Sequence, residues 1–283
     1  MKQVSVEAGI PTARQHVVTT RAAEVGYPVI VKPSVGVGAN GAWKLKSQAA
    51  LDGFYADLPA VPYVMEEFLS GDICTYDAIL GSRCEPLFES MGVCEPVLDA
   101  VAEGKDVFFY TCPEPDPRLS ALGRKTAKAF GADRRFVHFE FIRLERDYAG
   151  IGKAGDYAVL EVNMRPAGGH DPDMMNFAQS VDVYRIYADM VTADKRLFPA
   201  ADERRFCAYA ARKDGHDYIR THAEIIDRYG LHLVMQGGDA ADRLAANGPV
   251  SVHGEIPLGG ENVGVFRLCT REKRVMRGER DHE

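Results

Sequence analysis

Two stretches of the chain carry carboxylates inside otherwise apolar runs, and these residues have the clearest chemical potential. Glu140 lies in residues 136–143 and Glu161 in residues 157–166, and both stretches are typical of strands. A charged group in such a run is costly unless something compensates it. Glu161, Asn163 and Arg165 alternate with apolar residues, so their side chains share one strand face, with neighbours about 6.6 Å apart.

The spacing of the two stretches predicts that Glu140 lies opposite Glu161. If the linker turns near Gly150 and Ile151, residues whose numbers sum to about 301 are paired. Carboxylates about 5 Å apart repel each other unless a cation lies between them. Carboxylate oxygens and the amide of Asn163 suit Mg²⁺ held against phosphates. We therefore predict a magnesium site; the alternative, a solvated acidic face, is disfavoured by the apolar residues between.

A third segment joins a lysine to a glycine loop. Lys32 ends an apolar, strand-like run, and Gly36, Gly38 and Gly41 follow. Such glycines let the backbone approach phosphates closely, although the pattern alone is weak evidence. Residues 42–46 then alternate like a strand, whereas a dinucleotide-binding fold would open a helix inside the motif. This pattern predicts a flap over a nucleotide; the alternative is a glycine-rich hairpin with an exposed lysine.

Arg165 leads from the polar strand face into a glycine turn. An arginine beside metal and phosphate can clamp a carboxylate or a phosphoryl group, and the amides of Gly168 and Gly169 can hold developing negative charge. His170 either contacts substrate or is an ordinary surface residue, and the same two interpretations apply to His138. We predict that Arg165, Gly168, Gly169 and His170 line the substrate site.

Composition excludes several classes of protein. The 283 residues include 34 basic and 41 acidic ones, a net charge of -7, which disfavours a nucleic-acid or membrane surface. No apolar run approaches the roughly 20 residues of a membrane helix, and no signal-peptide pattern opens the chain. The six cysteines show no CxxC pair and are expected to be reduced thiols. A cytoplasmic protein is the expectation.

Periodicity and turn residues predict the remaining elements. Helices are expected at residues 4–9, 20–26 and 174–191, from Ser47, from Asp116 to Gly131, and from the capping box of Thr221 and Glu224. Strands are expected at 62–69, as several antiparallel strands within 73–112, and at 207–212, 231–236 and 263–270. In the helix at 174–191 the expected inward residues are Met174, Phe177, Ala178, Val181, Tyr184, Ala188 and Val191.

Three blocks in order resemble the ATP-grasp superfamily, in particular its carboxylate-amine ligase branch. They are residues 26–33 with the glycine loop, residues 64–72, and Glu140 followed by 161–166. The resemblance covers residues 4 to about 198. It implies an α+β, ATP-grasp fold whose two α+β lobes clasp a nucleotide. The implied domains are a small lobe (1–64), a large lobe with the metal site (65–198) and a small C-terminal α+β extension (199–283).

The resemblance also implies nucleotide contacts. Lys32 would meet the α- and β-phosphates of ATP, and the loop of Gly36, Gly38 and Gly41 would close over the β/γ end. Asp72 holds the position that usually binds ribose through a glutamate, and its shorter side chain departs from that pattern. The interlobe hinge would meet adenine through the backbone of Glu66, Glu67, Phe68 and Leu69.

For the reaction, the resemblance implies Mg²⁺ on Glu140, Glu161 and Asn163, with two ions expected and Mn²⁺ able to substitute. Arg165 would contact the transferred phosphate or the substrate carboxylate. A small-molecule carboxylate would attack ATP to give an acyl phosphate, and an amine would then displace phosphate to form an amide. Lys32 and Arg165 are the expected catalytic residues, and a homodimer is an expected assembly.

The start of the chain departs from the family. Relatives usually begin with a separate α/β domain and carry another ATP-binding lysine before the first helix, and Lys2 falls too close to Gly9 to replace it. A compact form, a removed domain and a domain supplied by a separate chain all remain open. Two other functions also remain: an enzyme activating bicarbonate, and a nucleotide-binding module that needs a partner. The full set of predicted metal ligands argues against the module.

Overall fold

The computed structural model describes residues 1–17, 26–34, 41–57, 61–95, 108–199, 203–213, 217–237 and 263–270. Its helices are α1 Lys2–Glu7, α2 Gln48–Ala56, α3 Pro117–Ala129, α4 Asp171–Gln179, α5 Val183–Ala193 and α6 His222–Tyr229. Its strands are β1 Gln15–Val17, β2 Val29–Pro33, β3 Trp43–Leu45, β4 Tyr63–Glu67, β5 Gly71–Leu80, β6 Pro86–Cys94, β7 Phe108–Thr111, β8 Arg135–Leu144, β9 Tyr157–Asn163, β10 Phe206–Lys213, β11 Leu233–Gly237 and β12 Val263–Thr270.

The strands form two antiparallel sheets. The small sheet has the order β1-β4-β2-β3, and the large sheet has the order β11-β12-β10-β7-β6-β5-β8-β9. Residues 68–70 connect β4 of the small sheet to β5 of the large one. This mixed architecture confirms the predicted α+β class.

The small sheet is built by the alternation that the sequence shows. In β2, Val29 and Val31 are fully buried and pack against Leu51 of α2, while Lys32 lies on the other face. Helix α2 begins where predicted, because the side chain of Ser47 accepts a hydrogen bond from the N–H of Ala50. β2 pairs antiparallel with β3, which confirms the two strands of the predicted flap. Gly36 and Gly38 lie outside the described residues.

Helices cover both faces of the large sheet. On one face, α3 packs Leu119 against Tyr76 and Phe139. On the other, α4 and α5 cover the apolar end of β5 and β8, where Ile79 and Phe136 are buried. Polar residues occupy the rest of this second face, so the apolar packing leaves room for a site beside it.

A β-bulge interrupts the pairing of β8 and β9. Ile142 pairs with Ala158 and Phe141 with Val159, but Glu140 pairs with Glu161. Leu160 is therefore the extra residue of the bulge. Beyond it, the register agrees with the predicted one.

The prediction of one helix over residues 174–191 is wrong. Ser180 adopts a left-handed conformation with φ of 50°, so α4 ends there and α5 begins after Asp182, whose side chain caps it. The new helix has its own inward face, formed by Val183, Ile186 and Met190. The predicted inward residues Tyr184, Ala188 and Val191 are consequently exposed.

The last segment extends the large sheet. β10 pairs with β7, and β12 joins β10 to β11, so all three predicted strands are confirmed. The capping box of Thr221 and Glu224 is present at α6. The turn predicted at 70–72 is shorter in the structure, because β5 already starts at Gly71. The division of the chain at residues 64 and 198 stays a prediction.

Other expectations meet the described residues only in part. The predicted helix at 20–26 lies outside them except for Gly26. No disulfide joins the described cysteines Cys74, Cys84, Cys94, Cys112 and Cys207. Among the helices of the described segments, none combines the length and the apolar character needed to cross a bilayer.

Two helical glycines offer a matched test of this packing. A Cβ on Gly123 of α3 would lie 2.4 Å from the Tyr76 ring, whereas one on Gly53 of α2 would meet nothing within 4 Å. We expect Gly123→Ala to lower the free energy of unfolding by about 1–3 kcal/mol through overpacking. Gly53→Ala should raise it by about 0.5–1 kcal/mol through helix propensity. Urea unfolding measures both, and a neutral Gly123→Ala would contradict the described contact of α3 with β5.

Candidate active site

The candidate site lies on the large sheet where β8 and β9 pair. Glu140 lies directly opposite Glu161, and His138 lies opposite Asn163. Residues opposite each other in an antiparallel pair point to the same face, so all four side chains share one face. The sequence predicted this juxtaposition of the two glutamates, and the structure brings them together.

The pKa of Glu161 reports the charges around it. Burial raises this pKa and repulsion by Glu140 raises it further, while Lys32, His138 and Arg165 act to lower it. Lys32 belongs to the small sheet, so a cation of that sheet lies near enough to act on the charge of Glu161. The site therefore draws its charges from both sheets.

The donor set suits a magnesium ion. Among the described residues, no three His, Cys, Asp or Glu side chains gather as metal ligands, and the candidate set is two carboxylates and one amide. Mg²⁺ is commonly held by one or two carboxylates, with water and phosphate completing its shell. The Nδ2 atom of Asn163 is buried and has no hydrogen-bond partner in the described part of the chain. Turning this amide would present its oxygen to an ion, so the residues fit the predicted metal.

Two lysines share one buried glutamate at the cleft. Glu66 is 3 % exposed, and its Oε2 atom lies 3.0 Å from Nζ of Lys32 and 3.5 Å from Nζ of Lys2. Lys2 also donates to the Thr12 hydroxyl at 2.7 Å. Burial lowers the pKa of Lys2 to about 8, although Glu66 acts to raise it. Lys2 thus shares this glutamate with Lys32, and the expectation that it does not replace the additional lysine of the family stays a prediction.

The predicted hinge residues occupy the link between the sheets. Glu67 ends β4 and is held by a two-pronged ion pair with Arg14. Lys44 lies 4.0 Å from the ring centre of Phe68. Leu69 is buried against residues of β8 and β9. The connection is therefore fixed at both ends, as a hinge between two lobes requires, and its contact with adenine stays a prediction.

Asp72 is not brought to the cluster. In the pairing of β5 with β8, Asp72 lies opposite Arg143, and Thr75 lies opposite Glu140. Asp72 is three residues from Thr75, so its side chain lies on the other face of the sheet from Glu140. Its carboxylate accepts a hydrogen bond from Arg143. The structure gives no support to the predicted contact with ribose, which stays untested.

A cavity of about 570 Å³ lies on that opposite face, lined in part by Tyr110, Asp116, Arg143, Tyr157 and Arg204. Its polar groups are largely satisfied within the protein: the Tyr157 hydroxyl donates to Asp116, and Arg204 donates to Gln179. On the carboxylate face, by contrast, no described residue donates a hydrogen bond to Glu161, and Glu140 has only the contact with His138. We therefore place the candidate site on the carboxylate face and not in this cavity.

The loop after β9 lies open beside the carboxylates. Arg165 is exposed and donates to the carbonyl of Pro166 at 2.8 Å. Gly168 and Gly169 are exposed, and Gly169 has φ of +58°, a backbone conformation that favours glycine. His170 precedes α4, with Nδ1 3.7 Å from Asp173. Arg165 acts on the charge of Glu161, and the contacts of these loop residues with substrate stay predictions.

Sequence reasoning missed two acidic groups on this face. Nδ1 of His138 lies 2.7 Å from Oδ1 of Asp77, which is 2 % exposed, and Nε2 lies 3.3 Å from Oε1 of Glu140. Burial lowers the pKa of His138, but the two carboxylates outweigh it and raise the pKa to about 11. Asp171, the first residue of α4, is the second missed group. Asp77 is an acidic residue between apolar neighbours in β5, and this pattern was the available signal for it.

The arrangement of these parts defines the fold class. A small antiparallel sheet carrying Lys32, a short hinge, and a large antiparallel sheet carrying Glu140 and Glu161 make up the ATP-grasp fold. No protein-family model and no curated protein sequence matches the chain. The similarity is to solved structures.

Three of these illustrate the likeness. The L-amino acid ligase of Bacillus licheniformis has a TM-score of 0.67 at 13 % identity, covering 97 % of this chain and 66 % of that one. N5-carboxyaminoimidazole synthetase of Staphylococcus aureus, complexed with ADP, has 0.64 at 14 %, covering 98 % and 68 %. Phosphoribosylglycinamide synthetase of Anaerococcus prevotii has 0.59 at 15 %, covering 98 % and 69 %. The chain spans about two thirds of the length of these enzymes.

The charge of Asp171 gives a prediction about stability. Burial raises its pKa from 3.8 to about 7, and repulsion by Asp77 and Glu140 adds to the shift. The folded state therefore binds more protons than the unfolded state between these values, so stability falls as pH rises through that window. With EDTA present, Asp171→Asn should be more stable than the parent protein by up to about 4 kcal/mol above pH 7, and the gain should vanish near pH 4.

Urea unfolding at pH 4, 5.5 and 8 measures this difference. Asp173→Asn removes a charge from the same helical turn and serves as the control. A gain for Asp171→Asn that is equal at all three pH values would contradict the assignment of Asp171 to the buried acidic face.

Proposed function

We propose that this chain is an ATP- and Mg²⁺-dependent ligase that activates a carboxylate as an acyl phosphate for attack by an amine. The observation that carries the proposal is the facing pair Glu140 and Glu161, with Asn163 on the same face and Lys32 of the other sheet near enough to influence Glu161. Two carboxylates that face each other, with a lysine near enough to act on one of them, suit a bound metal–nucleotide complex better than a structural role.

Each residue then has a role set by its position. Lys32 would bind the α- and β-phosphates, since it lies on the cleft side of β2. The backbone of residues 66–69 would meet adenine, and the glycine loop that ends at Gly41 would cover the phosphates. Glu140, Glu161 and Asn163 would hold the metal, which when bound would neutralise the phosphate oxygens and orient them for in-line transfer.

Arg165 would orient the reacting groups. Its exposed guanidinium can bind the γ-phosphate or the substrate carboxylate in a forked geometry. Attack by that carboxylate on the γ-phosphorus gives the acyl phosphate and ADP, and attack by the amine then releases phosphate and forms the amide. Positioning and charge neutralisation supply the catalysis, so no nucleophile of the protein is required.

A titration and a screen test the proposal directly. A non-hydrolysable ATP analogue should bind in a calorimeter only weakly without Mg²⁺ and more tightly with it. Phosphate release should then appear with particular pairs of small acids and amines. Binding without release for any pair would favour a nucleotide-binding module completed by a partner, and absence of binding would overturn the proposal.

Bicarbonate is the second candidate substrate. Several similar structures are N5-carboxyaminoimidazole synthetases, whose name describes a carboxylated amine. The same phosphate-release assay distinguishes the two functions when it is run in buffers freed of bicarbonate. Release that needs added bicarbonate and an amine, with no other acid, would favour this candidate.

Glu161→Gln should abolish Mg²⁺-dependent ATP turnover while the fold is retained. The amide keeps the shape of the side chain and loses the charge that holds the metal. Without metal, the variant should unfold no earlier than the parent, because a like-charge repulsion is removed. Glu85→Gln, at an exposed position, is the control. Unchanged turnover by Glu161→Gln would refute the metal assignment.

Lys32→Ala should weaken binding of the ATP analogue by more than about tenfold, because a cation facing the phosphates is lost. Calorimetry with saturating Mg²⁺ measures this affinity. Lys46→Ala removes an exposed lysine just beyond β3 and should leave it unchanged. Equal affinities of the two variants would mean that Lys32 does not face the nucleotide.

A further inference from the structure

His138 is held between two carboxylates deep in the large sheet. It is 8 % exposed, with Nδ1 2.7 Å from Asp77 and Nε2 3.3 Å from Glu140. Nδ1 is hydrogen-bonded to Asp77 and Nε2 makes an ion-pair contact with Glu140, so the ring bridges the two carboxylates through both of its nitrogens. The histidine therefore has no nitrogen left to bind a metal itself.

Asp77, which lies on the other side of His138 from Glu140, is anchored to the backbone. Oδ2 of Asp77 accepts from the Thr75 hydroxyl at 2.6 Å, and the oxygen of that hydroxyl accepts from the N–H of Gly92 at 2.9 Å. Both oxygens of Asp77 are thus occupied, and its carboxylate cannot turn freely. The chain of bonds runs from a strand backbone through three side chains to Glu140.

At Glu140 the contact engages one oxygen only. Nε2 of His138 lies 3.3 Å from Oε1 of Glu140, and no hydrogen bond from another described residue reaches this carboxylate, which leaves Oε2 for another partner. Glu140 and Glu161 would otherwise swing apart to relieve their repulsion. A ring nitrogen fixed beside one oxygen holds Glu140 in place.

We propose that His138, locked by Asp77, is a positioning residue that orients the carboxylate of Glu140 as a ligand for the bound divalent metal. This rests on the proposed function, because it takes Glu140 as a metal ligand. Hydrogen bonds to ligating carboxylates tune metal sites in this way, and their loss typically costs 10–100-fold in affinity.

Two neutral variants of His138 separate positioning from charge. His138→Gln keeps a donor at about the position of Nε2, toward Glu140, while His138→Asn keeps one at about Nδ1, toward Asp77 only. Both variants are uncharged at this position, so electrostatic effects on the metal cancel in their comparison. Mn²⁺ serves as the probe, and its free concentration is read by electron paramagnetic resonance with the full chain and a non-hydrolysable ATP analogue.

We expect His138→Gln to bind Mn²⁺ at least about tenfold more tightly than His138→Asn. Ser90→Ala controls for disturbance of this buried face, since Ser90 lies opposite Asp77 and its hydroxyl has no described partner. Equal Mn²⁺ affinities of the two His138 variants, with Glu161→Gln abolishing binding, would overturn the positioning role and leave the proposed function intact. Failure of the parent protein to bind Mn²⁺ would overturn both.

A second pair covers the case in which a His138 variant does not fold. Asp77→Asn retains an acceptor for Nδ1 and Asp77→Leu does not, and both remove the same charge. Tighter Mn²⁺ binding by Asp77→Asn supports the role, and equal affinities overturn it.

Discussion

Like charges held close together on one sheet face are the constraint on which the rest of the site depends. Glu140 and Glu161 face each other across two paired strands, with Asp77 and Asp171 acting on the same face. Backbone pairing fixes the strand positions, so repulsion cannot be relieved by moving the strands apart. The positive charges that offset this repulsion come from three residues: His138 of the same sheet, Arg165 of the exposed loop and Lys32 of the small sheet.

Opposite charges also lie close together at the cleft between the two sheets. Glu66 is the last-but-one residue of β4, and both Lys2 of α1 and Lys32 of β2 approach the same oxygen. One carboxylate between two lysines leaves a net positive charge, which suits a phosphate-bearing ligand better than a neutral pair would. Thr12, which binds Lys2, also donates to the carbonyl of Val159 in β9. Lys2 is thereby linked to the strand that carries Glu161.

Local patterns in the sequence predicted those features that depend on alternation and capping. The facing of Glu140 and Glu161, the caps at Ser47 and Thr221 and the pairing of β2 with β3 all follow from residues close in sequence. The break between α4 and α5 was missed because apolar spacing continues through Ser180, and only its left-handed backbone interrupts the helix. Contacts between distant segments could not be predicted in the same way. Asp77 and His138 are 61 residues apart, and their bond exists only because β5 pairs with β8. Asp72 fitted a motif position, yet strand alternation directs it toward Arg143 on the other face.

The bulge at Leu160 decides which side of the sheet is acidic. If the pairing of Phe141 with Val159 continued without a bulge, Glu161 would lie opposite Phe139, within the apolar layer under α3. Leaving Leu160 unpaired returns Glu161 to the face of Glu140. The bulge between Val159 and Glu161 therefore determines on which face of the sheet the site lies, and the chemistry of the side chain at the bulge does not. In evolution, such a site tolerates other apolar residues at Leu160 more readily than an insertion beside it, which would turn the carboxylate toward the core.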